Sequence, residues 1–327
     1  MSVPTPSPRS DTAQPDRRRV GVVIVTYNSA EIIEGCLDAL DGAAPRSHVD
    51  IVVVDNDSAD DVAARARSHR SAPTVIETGT NGGYAAGINV GTRALEASES
   101  PDAFLILNPD CRLAPDSLDL LFDELERNGT GIVAPRIHDA DGALFHSIFR
   151  EPTVLRGFAS AVLGDRIAGR SPALGEQETR PEAYATAAEV DAASGAVLLI
   201  DAACAATVGE WDEDYFLYCE ETDFQFRARR EGHRVRFVPA AVATHDGGDS
   251  EVSPRLWALL TVNRVRLFGK FHGRVATGLY RVAVLLNEAL RAARGRTPSR
   301  AAVAALLSSR RRRALYPTAT PDPRRTN

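Results

Sequence analysis

The sequence predicts an α/β protein built on a mostly parallel sheet flanked by helices, and three observations predict it. Short β-branched apolar runs alternate with segments of helical periodicity through residues 20–128. Three of those runs stop at polar clusters: Thr26, Tyr27 and Asn28; residues 55–58; and Asn108, Pro109 and Asp110. The chain has 327 residues and is 44% hydrophobic, enough apolar surface for a large core.

Residues 20–25 form the first apolar run, and residues 31–40 place apolar side chains at helical spacing. A second strand over residues 51–54 stops at Asp55, Asn56, Asp57 and Ser58, with a helix over 62–68 behind it. Val75 and Ile76 give a third short strand before the turn-rich residues 79–83. Residues 85–97 form a helix, 104–107 a buried strand, and a further helix lies near 115–128. Parallel strands of this kind are buried on both faces, and ligands bind beyond their carboxyl ends, where all three polar clusters fall.

After Ile132 the pattern loosens. Residues 150–189, interrupted by Pro152, Gly164, Gly169, Pro172, Gly175 and Pro181, read as a variable connection suited to acceptor-facing loops. Residues 194–200 resume a strand, 221–231 form a helix ending at Gly232, 235–238 are a strand, and 241–244 lead into His245. Residues 255–291 read as one long amphipathic helix in which Leu256, Leu259 and Leu260 interleave with Arg264, Arg266 and Lys270. The expected organisation is a disordered leader (1–19), a catalytic domain (20–254), a basic amphipathic helical extension (255–293) and a basic, disordered tail (294–327).

The net charge of −6 hides a split: from Arg255 onward 16 basic residues face 2 acidic ones, a segment charge of +14 against −20 before it. Such a segment suits an anionic surface, with a solvated tail as the plain alternative; the amphipathic helix suits a membrane surface, with packing on the core the slightly favoured reading for its first half. Four cysteines without C-x-x-C spacing exclude a disulfide framework and a structural zinc, and fit a reducing, cytoplasmic compartment. No apolar stretch is long enough to span a bilayer. Neither G-x-G-x-x-G nor G-x-x-x-x-G-K-[ST] occurs, which excludes those dinucleotide and P-loop fingerprints. Nucleic acid is not expected as a partner.

Several residues suit one chemistry. Asp55, Asn56, Ser58 and the Thr26, Tyr27, Asn28 loop offer carboxylate, amide and hydroxyl groups to a base edge and a ribose, although turns and caps use the same residue types. Asn81, Gly82, Gly83 and Tyr84, followed by Gly87 and Asn89, let backbone approach a ligand. Asp110, just past a strand, suits one position of a divalent ion, with His245 as a nitrogen ligand. Glu220, Glu221 and Asp223 gather at a helix start beside Tyr215, Phe216 and Tyr218, where an apolar setting would raise a carboxyl toward the range of a general base.

On these segments the chain resembles family-2 glycosyltransferases with a GT-A fold, bacterial rhamnosyltransferases in particular. Those that carry the resemblance are 22–28, 53–58, 81–89, 107–110, Ser194-Gly195-Ala196, and 216–224 running to Arg227. The resemblance implies that the 26–28 loop, Asp55 and Asn56 contact the nucleotide and that residues 81–89 lie near its diphosphate. It implies that Asp110 and His245 bind a divalent metal, magnesium or manganese, and that Glu221 is the catalytic base. The family's Asp-x-Asp has Asn108 at its first position here, one carboxylate fewer, and its common Asp base is Glu221, one methylene longer.

The implied reaction is inverting transfer of a sugar from a dTDP- or UDP-sugar, dTDP-rhamnose first, to a polyprenyl-diphosphate-linked saccharide during wall or polysaccharide assembly, by an enzyme peripheral at the inner face of the plasma membrane. Galactofuranosyl or other hexosyl transfer is the nearest alternative. A catalytically silent nucleotide-binding scaffold at the membrane is the alternative of another class.

Overall fold

The computed structural model describes residues 18–98, 100–127, 129–246 and 253–316. The leader expected at 1–19 lies, except for Arg18 and Arg19, outside the described residues, as does the tail after Tyr316.

The first half follows the predicted alternation: β1 (Arg19–Thr26), α1 (Ile33–Leu40), β2 (His48–Asp55), α2 (Val62–Ser68), β3 (Thr74–Glu77), α3 (Tyr84–Ser98) and β4 (Ala103–Leu107). Then come β5 (Cys111–Leu113), α4 (Ser117–Leu125) and β6 (Thr130–Asp139). The connection after β6 holds β7 (Ile148–Phe149), α5 (Val154–Leu163), α6 (Asp165–Ala168) and β8 (Ala188–Val190). The catalytic half closes with β9 (Ala192–Ala193), β10 (Val197–Asp201), α7 (Ala202–Val208), α8 (Glu220–Arg230) and β11 (Arg234–His245). Four helices end the chain: α9 (Pro254–Phe271), α10 (Arg274–Ala293), α11 (Thr297–Leu307) and α12 (Ser309–Arg313).

Eight strands of the main sheet run in the order β3, β2, β1, β4, β10, β6, β11, β5, and β8 pairs beside β11. β1, β2, β3 and β4 are parallel neighbours, β6 and β11 are parallel, and β10 runs against both β4 and β6. β4 is buried along its whole length, which explains why its sequence is an uninterrupted apolar run. Alternation along β1 divides the core. Val22 and Ile24 pack with Ile33, Leu37 and Leu121 on one face, while Val23 and Val25 pack with Ile88 and Leu95 of α3 on the other.

Two expectations for the C-terminal part are corrected. The single helix over 255–291 breaks at His272 and Gly273 into α9 and α10, because both residues adopt extended backbone. The segment after 294, expected to be disordered, forms α11 and α12; α11 buries Ala302, Ala305 and Leu306, and Leu315 just past α12 joins them, against Leu259, Phe268 and Tyr280. Its arginines had masked an apolar face at helical spacing. The connection at 150–189 likewise holds a real helix, α5, capped by Thr153, whose side chain accepts from Arg156 N at 3.1 Å. Among the described residues no helix is long and apolar enough to cross a membrane.

Candidate active site

Parallel register brings the predicted polar clusters to one edge: Thr26 pairs with Asp55, and Ile24 with Leu107, so Asn108 emerges level with Val25, one residue before Thr26. Asp55 is buried and organises its loop, accepting from Thr26 Oγ1 at 3.1 Å, Ser58 N at 3.2 Å and the Ser58 hydroxyl. Asn28, in the left-handed region at φ 52°, donates its N–H to Ser58 Oγ at 2.9 Å and accepts from Ala59 N at 2.8 Å. These side chains shape the rim, where Tyr27 and Asn28 are exposed. Asn56 donates from Nδ2 to Gly83 O at 2.8 Å, and its buried Oδ1 has no hydrogen-bond partner. A buried acceptor left open in this way is satisfied when a donor arrives.

The 81–84 turn is tied to the acidic cluster. Asn81 Oδ1 accepts from Gly83 N at 3.0 Å, and Tyr84 N donates to Phe216 O at 2.8 Å. Gly83 sits at φ 92°, and a Cβ there would stand 2.2 Å from Phe216 O, so no other residue fits. Gly82 is close-packed as well, since its Cβ would meet Ala86. Two expectations for this segment are corrected. Gly87 faces Val25 of β1 rather than a ligand. Asn89 is buried and fully used: it donates to Trp211 O at 3.0 Å and Glu213 Oε1 at 2.9 Å and accepts from Trp211 N at 2.9 Å, so it pins a loop and does not reach a nucleotide.

The antiparallel pairing of β5 with the end of β11 sets Cys111 opposite His245 and so brings Asp110 to the imidazole, Oδ2 to Nε2 at 3.2 Å. Donor atoms of Asp110, Cys111 and His245 lie within 4.8 Å of one another, and His245 Nδ1 is buried without a partner. Burial, with Asp110 beside it, pushes the Cys111 thiol well above its ordinary range. A carboxylate and an imidazole on one side, with the other side left to phosphate and water, fit a magnesium- or manganese-type ion. Asn108 stands next to them, but its Oδ1 accepts from the Tyr84 hydroxyl at 2.7 Å.

The acids of α8 separate. Glu221 is half-buried and lines a cavity of about 460 Å³ with Phe149, Glu176, Tyr218, Trp257 and Arg264. Gly195 makes room for it: a Cβ there would meet Glu221 Cβ at 2.8 Å and Cγ at 2.9 Å. Phe145 lines the same cavity and packs edge-on against His245, ring centroids 5.6 Å apart, linking the cavity to the Asp110 side. Burial raises the Glu221 carboxyl, and burial together with the Glu221 charge raises Glu220.

Glu220 and Asp223 do not share the cavity, which corrects their expected place there. Glu220 is buried behind Glu221, with Oε2 unpartnered. Asp223 is fully buried and ion-paired, 2.9 Å from Arg227 Nε and 2.7 Å from Lys270 Nζ, so it anchors the helix to α9.

Sequence reasoning did not single out the support of this acidic turn. Phe216, Tyr218 and Cys219 all have φ between 63° and 76° without being glycine, conformations that cost on the order of 1–3 kcal/mol each and persist only where neighbours hold them. Asn263 of α9 is the holder: its Nδ2 donates to the carbonyls of Tyr215, Leu217 and Tyr218 at 2.9, 2.9 and 3.1 Å. Tyr316 in turn donates to Asn263 Oδ1 at 2.6 Å. Nothing local in the sequence signals a contact across some fifty residues of chain.

Comparison with known proteins agrees with this architecture. A model of glycosyl transferase family 2 matches residues 21–170. An N-acetylglucosaminyl-diphospho-decaprenol L-rhamnosyltransferase of Mycobacterium tuberculosis is 31% identical over 239 residues, 68% of this chain and 75% of that protein. A low-salt glycan biosynthesis hexosyltransferase of Haloferax volcanii is 28% identical, covering 69% of this chain and 67% of its own length. Rhamnosyltransferase WbbL of Escherichia coli is 24% identical, covering 69% and 83%. Among solved structures, a mannosyltransferase of Pyrobaculum calidifontis in complex with GDP-Man and Mn2+ superposes with a TM-score of 0.55 at 20% identity, covering 92% of this chain and 81% of that one, a likeness of fold. With the sheet order, the strand-end site and a relative above 30% identity in agreement, the chain belongs to glycosyl transferase family 2 and is a GT-A-fold glycosyltransferase.

Proposed function

We propose that this enzyme transfers a sugar with inversion, L-rhamnose from dTDP-rhamnose in the first instance, to a polyprenyl-diphosphate-linked saccharide in wall or polysaccharide assembly. The observation that carries the reading is the position of Glu221: a raised carboxyl in the wall of a polar and aromatic cavity, beside Phe145, which leads to Asp110 and His245. The rhamnosyltransferase relatives support the sugar and, in one, a decaprenol-linked acceptor. The hexosyltransferase relative keeps a hexosyl donor, such as UDP-galactofuranose, as the second reading.

In this mechanism Asn56 Oδ1, the open buried acceptor, takes a hydrogen bond from the base or ribose, and Tyr27 covers the same rim. Asp110 and His245 would hold magnesium or manganese, which when bound offsets the negative charge of the diphosphate. Glu221 accepts the proton of the acceptor hydroxyl as that oxygen bonds to the anomeric carbon and the bond from that carbon to the diphosphate oxygen breaks. Attack from the side opposite the leaving group inverts the centre. An acceptor carried on a lipid would put the reaction at a membrane surface, and a nucleotide-sugar donor would put it on the cytoplasmic side, the inner face of the plasma membrane.

The test is donor discrimination. Thermal unfolding with manganese and either dTDP-rhamnose, UDP-galactofuranose or NAD should show stabilisation by the first above the second and none by NAD. Stabilisation by UDP-galactofuranose alone would replace the donor, and stabilisation by none of the sugar nucleotides would remove the reading.

A further inference from the structure

Exposed apolar side chains gather on two neighbouring helices. α10 shows solvent a row at helical spacing, Val275, Leu279, Val282 and Leu286, with Val275 80% exposed, while Tyr280, Ala283 and Val284 fill the core on its other side. α5 packs on α10 at Gly157, where a Cβ would stand 3.1 Å from Tyr280 and 3.2 Å from Ala283. With α6 it exposes Leu155, Val162, Leu163 and Ile167, Val162 at 71%. A helix that already buries one apolar face and shows a second one to solvent has a surface suited to another apolar phase.

Charge indicates which phase. Residues 254–316 hold 14 basic residues and a single acid, Glu288, which is 1% exposed and bonded to Trp257 Nε1 at 2.8 Å. This layer therefore presents no carboxylate of its own to solvent. Arg264, Arg266 and Lys270, the basic residues that the sequence suggested for a membrane helix, turn inward on α9, where they pair with Glu176, Asp214 and Asp212. The exposed Arg166, Arg170, Arg274, Arg294 and Arg300 have no acidic partner among the described residues.

We propose that the outward rows of α10 and α5–α6, with their flanking arginines, are the docking face for an anionic lipid bilayer. Apolar side chains in the headgroup boundary and arginines at the anionic surface are the combination that interfacial helices use. A second copy of this chain would bring an equally cationic surface to the same face and be repelled. Ser160, Asp165 and Tyr280 line the Glu221 cavity from the inner side of these same helices, so docking would hold that cavity directly behind the lipid-facing layer. That use of the face rests on the proposed lipid-linked acceptor; the binding itself does not.

Sedimentation of the full-length chain with phosphatidylcholine vesicles, with and without about a third of phosphatidylglycerol, tests it. Binding is expected with the anionic vesicles only and should weaken with added salt. The triple substitution Val275→Gln, Leu279→Gln, Val282→Gln should lower the partition coefficient roughly ten-fold or more, with Tm and transfer to a water-soluble acceptor analogue unchanged. Equal partition of variant and wild type, equal binding to neutral vesicles, or no binding at all would overturn the proposal. So would a lipid-free dimer that the triple substitution dissolves. Loss of sugar transfer with vesicle binding intact would count against the proposed reaction and leave the docking face standing.

Discussion

Glu220 and Glu221 are adjacent carboxyls with little water around them, and both are raised above the ordinary carboxylate range. They titrate as a pair. The folded chain thus keeps a proton that the unfolded chain releases, and stability falls as pH rises from about 4.5 toward about 8. Chemical denaturation should show this slope in the wild type and a flatter one in Glu220→Gln; equal slopes would contradict it. Burial, not a neighbouring charge, raises Glu221, so the acid limb of kcat/KM should lie above the usual carboxylate range in the wild type and stay there in Glu220→Gln. Gly195→Ala should cut kcat while leaving donor binding in place, because the added methyl collides with Glu221 Cβ. Glu221 and Asp110 were legible as candidates because each sits at an element boundary in a polar cluster. Asp223 and Asn89 looked equivalent to them in sequence and are structural, since Lys270 and Trp211, which occupy them, lie far along the chain.

The acidic turn and α9 work as one unit. Asn263 closes three carbonyls of a turn that its own φ values disfavour, so Asn263→Ala leaves polar groups unpaired and should cost about 1–3 kcal/mol, read by urea denaturation. Because the turn carries Glu221, kcat should drop more than KM changes; an equal rise in KM with kcat intact would show that the turn keeps its shape without the amide. Periodicity revealed β1, α1, β2, α3 and β4, whose apolar faces repeat cleanly. It missed β5, three residues long and defined by its partner strand, and it ran α9 and α10 together because the extended pair His272 and Gly273 carries no proline to mark the break.

The chain divides its charge between an acidic nucleotide-side domain and a basic helical layer, and the layer is part of the fold. α9 supplies Asn263 to the turn and Lys270 to Asp223, so deleting residues after Pro254 should abolish cooperative unfolding rather than release an independent catalytic domain; a truncated chain with a sharp transition would contradict this. The sequence showed the charge split but not which arginines face outward, because outward and inward positions differ only by packing partners. At the other end of the site, Asp110→Asn should raise the manganese concentration needed for donor-induced stabilisation by about ten-fold, with the apo Tm little changed; an unchanged requirement would take Asp110 out of metal binding.

The central claim is that Glu221 takes the acceptor proton. Single-turnover transfer of sugar from dTDP-rhamnose to a lipid-linked saccharide by wild type and Glu221→Gln, with donor affinity measured in parallel, tests it most directly. The account predicts a loss of roughly 10²–10⁴-fold in rate with donor affinity retained. Transfer by Glu221→Gln within a few-fold of wild type would contradict it.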